Sequence, residues 1–247
     1  MIKIEKIVKS FGGVHALDSC TLTVQKKKIT ALIGPNGSGK TTLFNIISRI
    51  EEEDTGSIIF DREHYEELKD YEVARHGIAR TFQEVRLFQN LSVQEHLELA
   101  LSEDYERLLH NLLVPRVPDK ERILKILQRV GLQVDLNTLP TTLSFGQRKL
   151  LDLAIALTRK HSFLLLDEPV AGVHPNLRKK IRDILIQLKK EGESILLIEH
   201  DMNFIMDLAD YVYVLDQGKV IAKGKPKEIR RNKKVLDAYL GGNNATD

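Results

Sequence analysis

The chain has 247 residues, of which 42% are hydrophobic and 29% are charged. This composition is typical of a globular protein rather than a disordered or fibrous one. The 37 lysine and arginine residues nearly balance 35 aspartate and glutamate residues, and the net charge of +2 gives no support to a nucleic-acid partner. No apolar run exceeds five residues, whereas a membrane-spanning helix needs about 20, so we expect no transmembrane helix. The start of the chain has no apolar signal-peptide core. The single cysteine, Cys20, cannot form a disulfide or zinc site by itself, so we expect a cytoplasmic protein.

The first 30 residues and the segment 57–61 predict antiparallel strands with one face in water, because apolar and polar positions alternate there. The alternating apolar residues are Ile2, Ile4, Leu22 and Val24. A different strand is predicted at 29–33, where four of the five residues are apolar. It is followed by a helical spacing of apolar residues, namely Leu43, Ile46, Ile47 and Ile50.

The segment from about 87 to 160 contains no convincing strand and predicts a helical subdomain inserted into an α/β core. Ser92 and Glu95 have the spacing of a capping box. The residues that follow place apolar side chains on one helix face: Val93, Leu97, Ala100 and Leu101. Pro115 and Pro118 interrupt the pattern, and a second helix is predicted around 120–130.

Three further apolar runs, at 163–166, 195–198 and 211–215, predict strands. A helix is predicted after the first of them, with Pro175 suited to its first turn and Gly192 to its end. Strand, loop and helix units in series indicate a parallel sheet with helices on its faces. The last residues, 241–247, are expected to be disordered.

A glycine-rich segment between the predicted strand 29–33 and its helix fits the phosphate-loop pattern G-x-x-x-x-G-K-[ST]. It reads Gly34-Pro35-Asn36-Gly37-Ser38-Gly39-Lys40-Thr41. Glycines allow several backbone N–H groups to converge on one anion, and the helix adds its positive N-terminal end. Lys40 would bind the β- and γ-phosphates of a nucleotide, and Thr41 would bind Mg²⁺.

The predicted strand 163–166 ends on two acidic residues, Asp167 and Glu168. Ligands bind at this edge of open α/β sheets. Beside a phosphate loop, Asp167 would hold Mg²⁺ and Glu168 would orient or deprotonate an attacking water. By itself the pattern is equally typical of a strand followed by a solvated turn.

The segment Leu143-Ser144-Phe145-Gly146-Gln147, here called the signature segment, precedes another helical pattern. Ser144 suits the N-cap of that helix, and a serine hydroxyl beside a helix N-terminus can bind an anion. An ordinary capped helix explains the same residues equally well.

Over essentially its whole length the chain resembles the ATP-binding subunits of ABC transporters, because five motifs occur in the family's order. They are the phosphate loop, Thr81-Phe82-Gln83, the signature segment, Asp167-Glu168 and Ile198-Glu199-His200-Asp201. The resemblance implies a P-loop NTPase fold of the α/β class with a RecA-like, mostly parallel sheet. It would carry an N-terminal antiparallel β subdomain and the inserted helical subdomain. A single ABC ATPase domain would span 1–240.

The resemblance also implies site residues and partners. Members of the family dimerise head to tail, and each ATP lies between the phosphate loop of one subunit and the signature segment of the other. The ATP-binding residues would be Phe11, Gly34, Pro35, Asn36, Gly37, Ser38, Gly39, Lys40, Thr41, Thr42, Ser144, Gly146 and Gln147. The catalytic residues would be Lys40, Gln83, Glu168 and His200, and the Mg²⁺ ligands Thr41, Gln83 and Asp167.

Some of these assignments depend on the family alone. Without it, Gln83 reads as a polar loop residue, His200 as a structural histidine and Phe11 as a core aromatic rather than a ring that stacks on adenine. Two positions depart from the family's pattern. Phe145 stands where many members have glycine, and His174 stands where they have Asp or Asn, which cap helices better than histidine.

The segments 77–83 and 86–93, Ala171-Gly172 and the ending Ala238-Tyr239-Leu240-Gly241 resemble the ATPase subunits of branched-chain amino acid importers. Such a subunit would lie against the inner face of the membrane, with transmembrane permeases docking near Gln83, Leu87 and Phe88. Leu87 and Phe88 are expected to be exposed there, or else to pack under the helical subdomain.

The sequence is also compatible with several alternatives. Similar chains serve urea import or lipopolysaccharide export, and a soluble ABC ATPase such as an iron–sulfur assembly subunit is another candidate. A GTPase is disfavoured because the chain has no D-x-x-G motif. Glu168 and His200 argue against a regulator without activity. The basic run 223–234 is interpreted as a solvated face.

Overall fold

The computed structural model describes residues 1–61, 63–64, 68–101 and 120–241. The strands in this part of the chain are β1 (Ile2–Phe11), β2 (Val14–Val24), β3 (Ile29–Ile33), β4 (Thr55–Phe60), β5 (Glu63–His64), β6 (Ile78–Arg80), β7 (Phe163–Asp167), β8 (Ile195–Ile198), β9 (Tyr211–Asp216) and β10 (Lys219–Gly224). The helices are α1 (Lys40–Ile47), α2 (Asp70–Arg75), α3 (Val93–Leu101), α4 (Lys120–Arg129), α5 (Phe145–Ala156), α6 (Pro175–Lys190), α7 (Met202–Leu208), α8 (Pro226–Ile229) and α9 (Lys233–Gly241), with a 3₁₀ turn at Pro140–Thr142.

A six-stranded sheet in the order β10-β9-β3-β8-β7-β6 forms the centre of the molecule. The strands from β9 to β6 pair in parallel, and β10 pairs antiparallel to β9. The four predicted strands of the parallel sheet are confirmed as β3, β7, β8 and β9. Strands β6 and β10 were not predicted, because their apolar runs of two and three residues are too short to show a periodic pattern.

The N-terminal region forms a second sheet, in the order β2-β1-β4-β5, with antiparallel pairing throughout. The predicted antiparallel strands near the N-terminus are therefore confirmed, and the segment expected at 57–61 is β4. The sheet covers one side of α1, whose apolar residues pack between the two sheets.

Side chains of the central strands alternate between two cores, as the two-residue period of a strand requires. In β3, Leu32 packs with α1 and the N-terminal sheet. Its neighbours Ala31 and Ile33 pack on the opposite face with the helices that follow β6 in the chain. Both faces of β3 are thus buried, which explains why four of its five residues are apolar.

The helices predicted between 87 and 160 are found where the structure describes this segment. In α3, the N–H of Ser92 donates to the Glu95 carboxylate at 2.7 Å, and the N–H of Glu95 donates to the Ser92 hydroxyl at 3.2 Å. The second predicted helix is α4. Pro115 and Pro118 lie outside the described residues, and the boundaries of the domain and of its helical subdomain stay predictions.

Helix α6 begins at Pro175 as expected, and α9 extends to Gly241. The other residues predicted to be disordered, 242–247, lie outside the described residues. In the part of the chain described above, no helix has the length and apolar character needed to cross a membrane.

The parallel arrangement brings the carboxyl ends of β3, β6, β7 and β8 to one edge of the sheet. The phosphate loop follows β3, Gln83 lies shortly after β6, Glu168 follows β7, and His200 follows β8. The fold thereby collects four of the five motifs at one edge.

Candidate active site

The phosphate loop connects the fully buried strand β3 to α1 and curls tightly because of its glycines. Gly39 occupies the N-cap of α1 with φ of 102°, a conformation that favours glycine. A Cβ atom at Gly39 would lie 2.3 Å from the carbonyl oxygen of Ala16, and one at Gly34 would lie 2.0 Å from that of Leu215. Both positions therefore require glycine, because the loop lies directly against the neighbouring backbone.

Lys40 is buried at the first position of α1, with only 6% of its surface exposed. Its ammonium group donates to the carbonyl oxygens of Gly34 at 3.0 Å and Pro35 at 2.8 Å, and to the Ser38 hydroxyl at 3.3 Å. Burial lowers the pKa of Lys40, and the negative charges of Glu168 and Asp167 counteract this effect. A positive charge is thus held inside the loop.

Asp167 ends β7 and is buried, with 2% exposure. The Arg80 guanidinium lies 3.5 Å from its Oδ2 atom and also stacks over the rings of Phe44 and Phe82. Burial raises the pKa of Asp167; the charge of Glu168 adds to the effect, and Arg80 opposes it. Among the described residues, Oδ1 of Asp167 has no hydrogen-bond partner, so one buried carboxylate oxygen is available to a ligand.

Glu168 joins three of the predicted motifs. One carboxylate oxygen lies 2.6 Å from Nε2 of His200, and the other accepts a hydrogen bond from the Gln83 amide at 2.9 Å. The backbone of Glu168 has φ of 48°, and its N–H donates to the carbonyl of Ile198 at 3.0 Å. Gln83, Glu168 and His200 therefore form one hydrogen-bonded group, here called the carboxylate triad.

The signature segment forms the N-terminus of α5. The Ser144 hydroxyl accepts from the N–H of Gln147 at 3.2 Å, and the Gln147 side chain accepts from the N–H of Ser144 at 2.9 Å. A Cβ atom at Gly146 would lie 2.4 Å from Leu177 on α6, so glycine allows the two helices to pack closely. Within the described residues, Ser144 and Gln147 bond to each other and not to the phosphate loop.

Three predictions concerning single side chains have a clear outcome. Phe11 is 46% exposed at the end of β1, so the alternative of a core aromatic is wrong. His174 caps α6, with its Nδ1 atom accepting from the N–H of Asn176 at 3.3 Å, so histidine fulfils the capping role here. Phe88 is 62% exposed, but Leu87 is half-buried against the core, so the expected exposure of both residues is wrong for Leu87.

Sequence reasoning missed two buried charged residues beside the carboxylate triad. The ammonium group of Lys149 donates to the main-chain oxygens of Gln83 at 2.9 Å and Glu168 at 3.3 Å. Glu199 accepts from the N–H of Val170 at 2.9 Å, and burial raises its pKa to about 7. The only signal for Lys149 was a charged residue directly before the apolar positions of α5, and such residues usually lie at the surface.

Known proteins provide an independent comparison. A family model described as "ABC transporter" matches residues 17–171, and a model described as "Branched-chain amino acid ATP-binding cassette transporter" matches residues 219–244. The high-affinity branched-chain amino acid transport ATP-binding protein LivG of Salmonella typhimurium is 35% identical over 98% of both chains.

Solved structures agree with this comparison. The ADP conformation of an ATP-binding cassette of an ABC transporter is 32% identical, with a TM-score of 0.84 over 98% of both chains. The dimeric structure of a bacterial ABC transporter cassette is 27% identical, with a TM-score of 0.80, and covers 92% of this chain and 99% of that one. The chain therefore belongs to the ABC transporter family, in which it is an ATP-binding, ATP-hydrolysing subunit.

Proposed function

We propose that this ATPase drives the import of branched-chain amino acids. The hydrolytic half of the proposal is carried by one observation: Glu168 is held by Gln83 and His200 at the sheet edge that also carries Lys40 and Asp167. The transport half is supported by the name of the Salmonella relative and by the second family model, which covers the C-terminal residues 219–244.

The phosphates of ATP bind at the loop 34–41 and the first turn of α1. Backbone N–H groups at the start of this helix point toward the anion, and the Lys40 ammonium adds a buried positive charge that is worth more there than in water. Thr41 and Thr42 follow Lys40 on the first turn of this helix, and their hydroxyls contribute to the same site. Phe11, an exposed ring, stacks on the adenine.

The residues at the sheet edge also fit a magnesium ion. The unpartnered Oδ1 atom of Asp167 offers a hard oxygen ligand, and the exposed Thr41 hydroxyl and Gln83 amide offer two more. When bound, Mg²⁺ neutralises charge that develops on the β- and γ-phosphates.

The carboxylate triad activates water for attack on the γ-phosphate. Glu168 is the general base, because its carboxylate oxygens accept hydrogen bonds and can take a proton from water. Gln83 and His200 hold that carboxylate at the two distances given above, and His200 additionally contacts the γ-phosphate. Lys40 stabilises the negative charge of the transferred phosphoryl group.

Two copies of the subunit complete each other's sites, a proposal supported by the dimeric cassette that this chain resembles. The exposed N-terminus of α5 in one subunit, with Ser144, Gly146 and Gln147, closes over ATP bound to the phosphate loop of the other. ATP then bridges the subunits, and hydrolysis removes the bridge. This opening and closing moves transmembrane permeases that dock near Gln83 and the exposed Phe88 at the inner membrane face.

Uptake measurements in cells that lack this protein test the proposal. We expect these cells to lose uptake of radiolabelled leucine and isoleucine, and the wild-type chain to restore it. The Glu168→Gln variant should fail to restore it because the general base is removed. Restored uptake by this variant, or loss of urea uptake with normal leucine uptake, would contradict the proposal.

A further inference from the structure

Lys149 has no part in the chemistry described above, yet it links α5 to two members of the carboxylate triad. It lies on the first turns of α5, close after the signature segment, and 7% of its surface is exposed. Its ammonium group donates at 2.9 Å to the main-chain oxygen of Gln83 and at 3.3 Å to that of Glu168. One side chain on the helix that presents Ser144 therefore contacts the two residues that act on this chain's own ATP.

The burial of this ammonium group is unfavourable by itself, since a charge removed from water must be compensated by partners. Burial lowers the pKa of Lys149, and the nearby negative charges of Asp152, Glu199, Glu168 and Asp167 counteract this effect. The Phe145 ring lies 5.8 Å from the ammonium nitrogen. Packing alone would be served equally well by an unbranched apolar side chain such as methionine, so the two charge-assisted hydrogen bonds are the distinguishing feature of this position.

We propose that Lys149 is a positioning residue that couples the signature segment of each subunit to Gln83 and Glu168 of the same subunit. The inference rests on the proposed function. When Ser144 engages ATP on the partner subunit, α5 is held in place, and Lys149 fixes the backbone of Gln83 and Glu168 for hydrolysis of the ATP on its own subunit. A single side chain thereby couples the engagement of one ATP by Ser144 to the hydrolysis of the other ATP.

The first test compares Lys149→Met with Lys149→Arg in the assembled transporter. Methionine keeps the length of the side chain but leaves both carbonyl oxygens without their donor. We expect kcat for ATP hydrolysis to fall by about tenfold, as the loss of hydrogen bonds from a charged donor implies. The affinity for a fluorescent ATP analogue should be unchanged, because the phosphate loop is untouched. Arginine retains N–H donors and should restore most of kcat.

The matched control is Lys125→Met. Lys125 lies on α4, its side chain is 70% exposed, and it pairs with Glu121, so its loss should leave kcat and affinity unchanged. Thermal unfolding of each variant shows whether it is folded. If Lys149→Met does not fold, Lys149→Gln, which keeps an N–H donor on a shorter chain, takes its place and should give an intermediate kcat.

A double-mutant cycle with Ser144→Ala measures the coupling itself. If Lys149 transmits the engagement of Ser144, the serine substitution should reduce kcat less in the Lys149→Met background than in the wild type. Purely multiplicative effects would overturn the proposal. So would a normal kcat in Lys149→Met, an equal loss of affinity and kcat, or a failure of arginine to restore activity. If Glu168→Gln still hydrolysed ATP, the proposed function itself would fail, whereas a normal Lys149→Met beside an inactive Glu168→Gln would refute only this inference.

Discussion

At the residue scale, the site is built from charged side chains that are buried beside the phosphate loop and the end of β7. Lys40 is identified by the glycines before it, and Glu168 by the apolar strand and the aspartate that precede it. Lys149, Arg80 and Glu199 were not predictable, because their partners lie far away in the chain and only the folded backbone brings them together. A buried charge is compensated by tertiary contacts, and local sequence patterns do not record those contacts.

Replacing Lys40 by alanine should weaken ATP binding. The substitution removes a buried cation from the loop, and a hydrogen bond to a charged group contributes about 1.5–3 kcal/mol, which corresponds to roughly 10- to 100-fold in affinity. Titration with a fluorescent ATP analogue measures the change. Lys160→Ala, at an exposed position, is the control and should bind normally. Unchanged binding by Lys40→Ala would show that this ammonium group does not contact the phosphates.

At the scale of secondary structure, the apolar strands and the long helices followed from their periodicity. The ends of two strands moved by one residue, to Asp167 and Asp216, because a strand can continue into a polar residue while its backbone remains paired. The short element β6 (Ile78–Arg80) could not be predicted, since its pairing with β7 is set by the sheet and not by its own three residues. Its position matters because Gln83, which follows β6 in the chain, is thereby placed within hydrogen-bond distance of Glu168.

The contact between His161 and Glu193 joins the loop before β7 to the loop after α6 and makes stability depend on pH. Nε2 of His161 lies 3.0 Å from Glu193. Burial lowers the pKa of His161, but Glu193 and the carbonyl of Arg159 outweigh it, and the net pKa is raised. The stabilisation is therefore complete below the unfolded histidine pKa of about 6.5 and is lost as pH rises through the higher folded value.

We expect His161→Gln to lower the melting temperature more at a pH of about 5.5 than at about 8.5, because only the protonated ring is favoured by the fold. Thermal unfolding monitored by circular dichroism at both pH values measures the difference. His76→Gln, at the exposed position directly after α2, serves as the control for the effect of the substitution itself. An equal shift at both pH values would mean that His161 stabilises the fold by packing alone.

At the scale of the whole molecule, the order of five motifs was sufficient to predict the family and its fold, because each motif adds an independent restriction. The spatial arrangement of the motifs could not be predicted from their order alone. The structure brings Gln83, Glu168 and His200 into one group, whereas Ser144 and Gln147 bond to each other at a separate helix terminus. We therefore propose that one chain presents two half-sites, which a second copy joins.

The proposed docking surface for the permeases depends on the ring of Phe88, whose exposure of 62% is high for a large apolar side chain. Replacing Phe88 by alanine should reduce co-purification of this subunit with detergent-solubilised membrane subunits, because an apolar contact is lost. The melting temperature should not change. The control is Leu99→Ala, which removes a different exposed apolar side chain, one that lies on α3. Full retention of the complex by Phe88→Ala would place the docking surface elsewhere.

We propose that ATP bridges two subunits until Glu168 initiates its hydrolysis. Sedimentation velocity of the Glu168→Gln variant with ATP and Mg²⁺ tests this claim most directly, with ADP in place of ATP as the control. We expect a dimer with ATP and a monomer with ADP, together with loss of phosphate release. A variant that remains monomeric with ATP, or that releases phosphate at the wild-type rate, would contradict it.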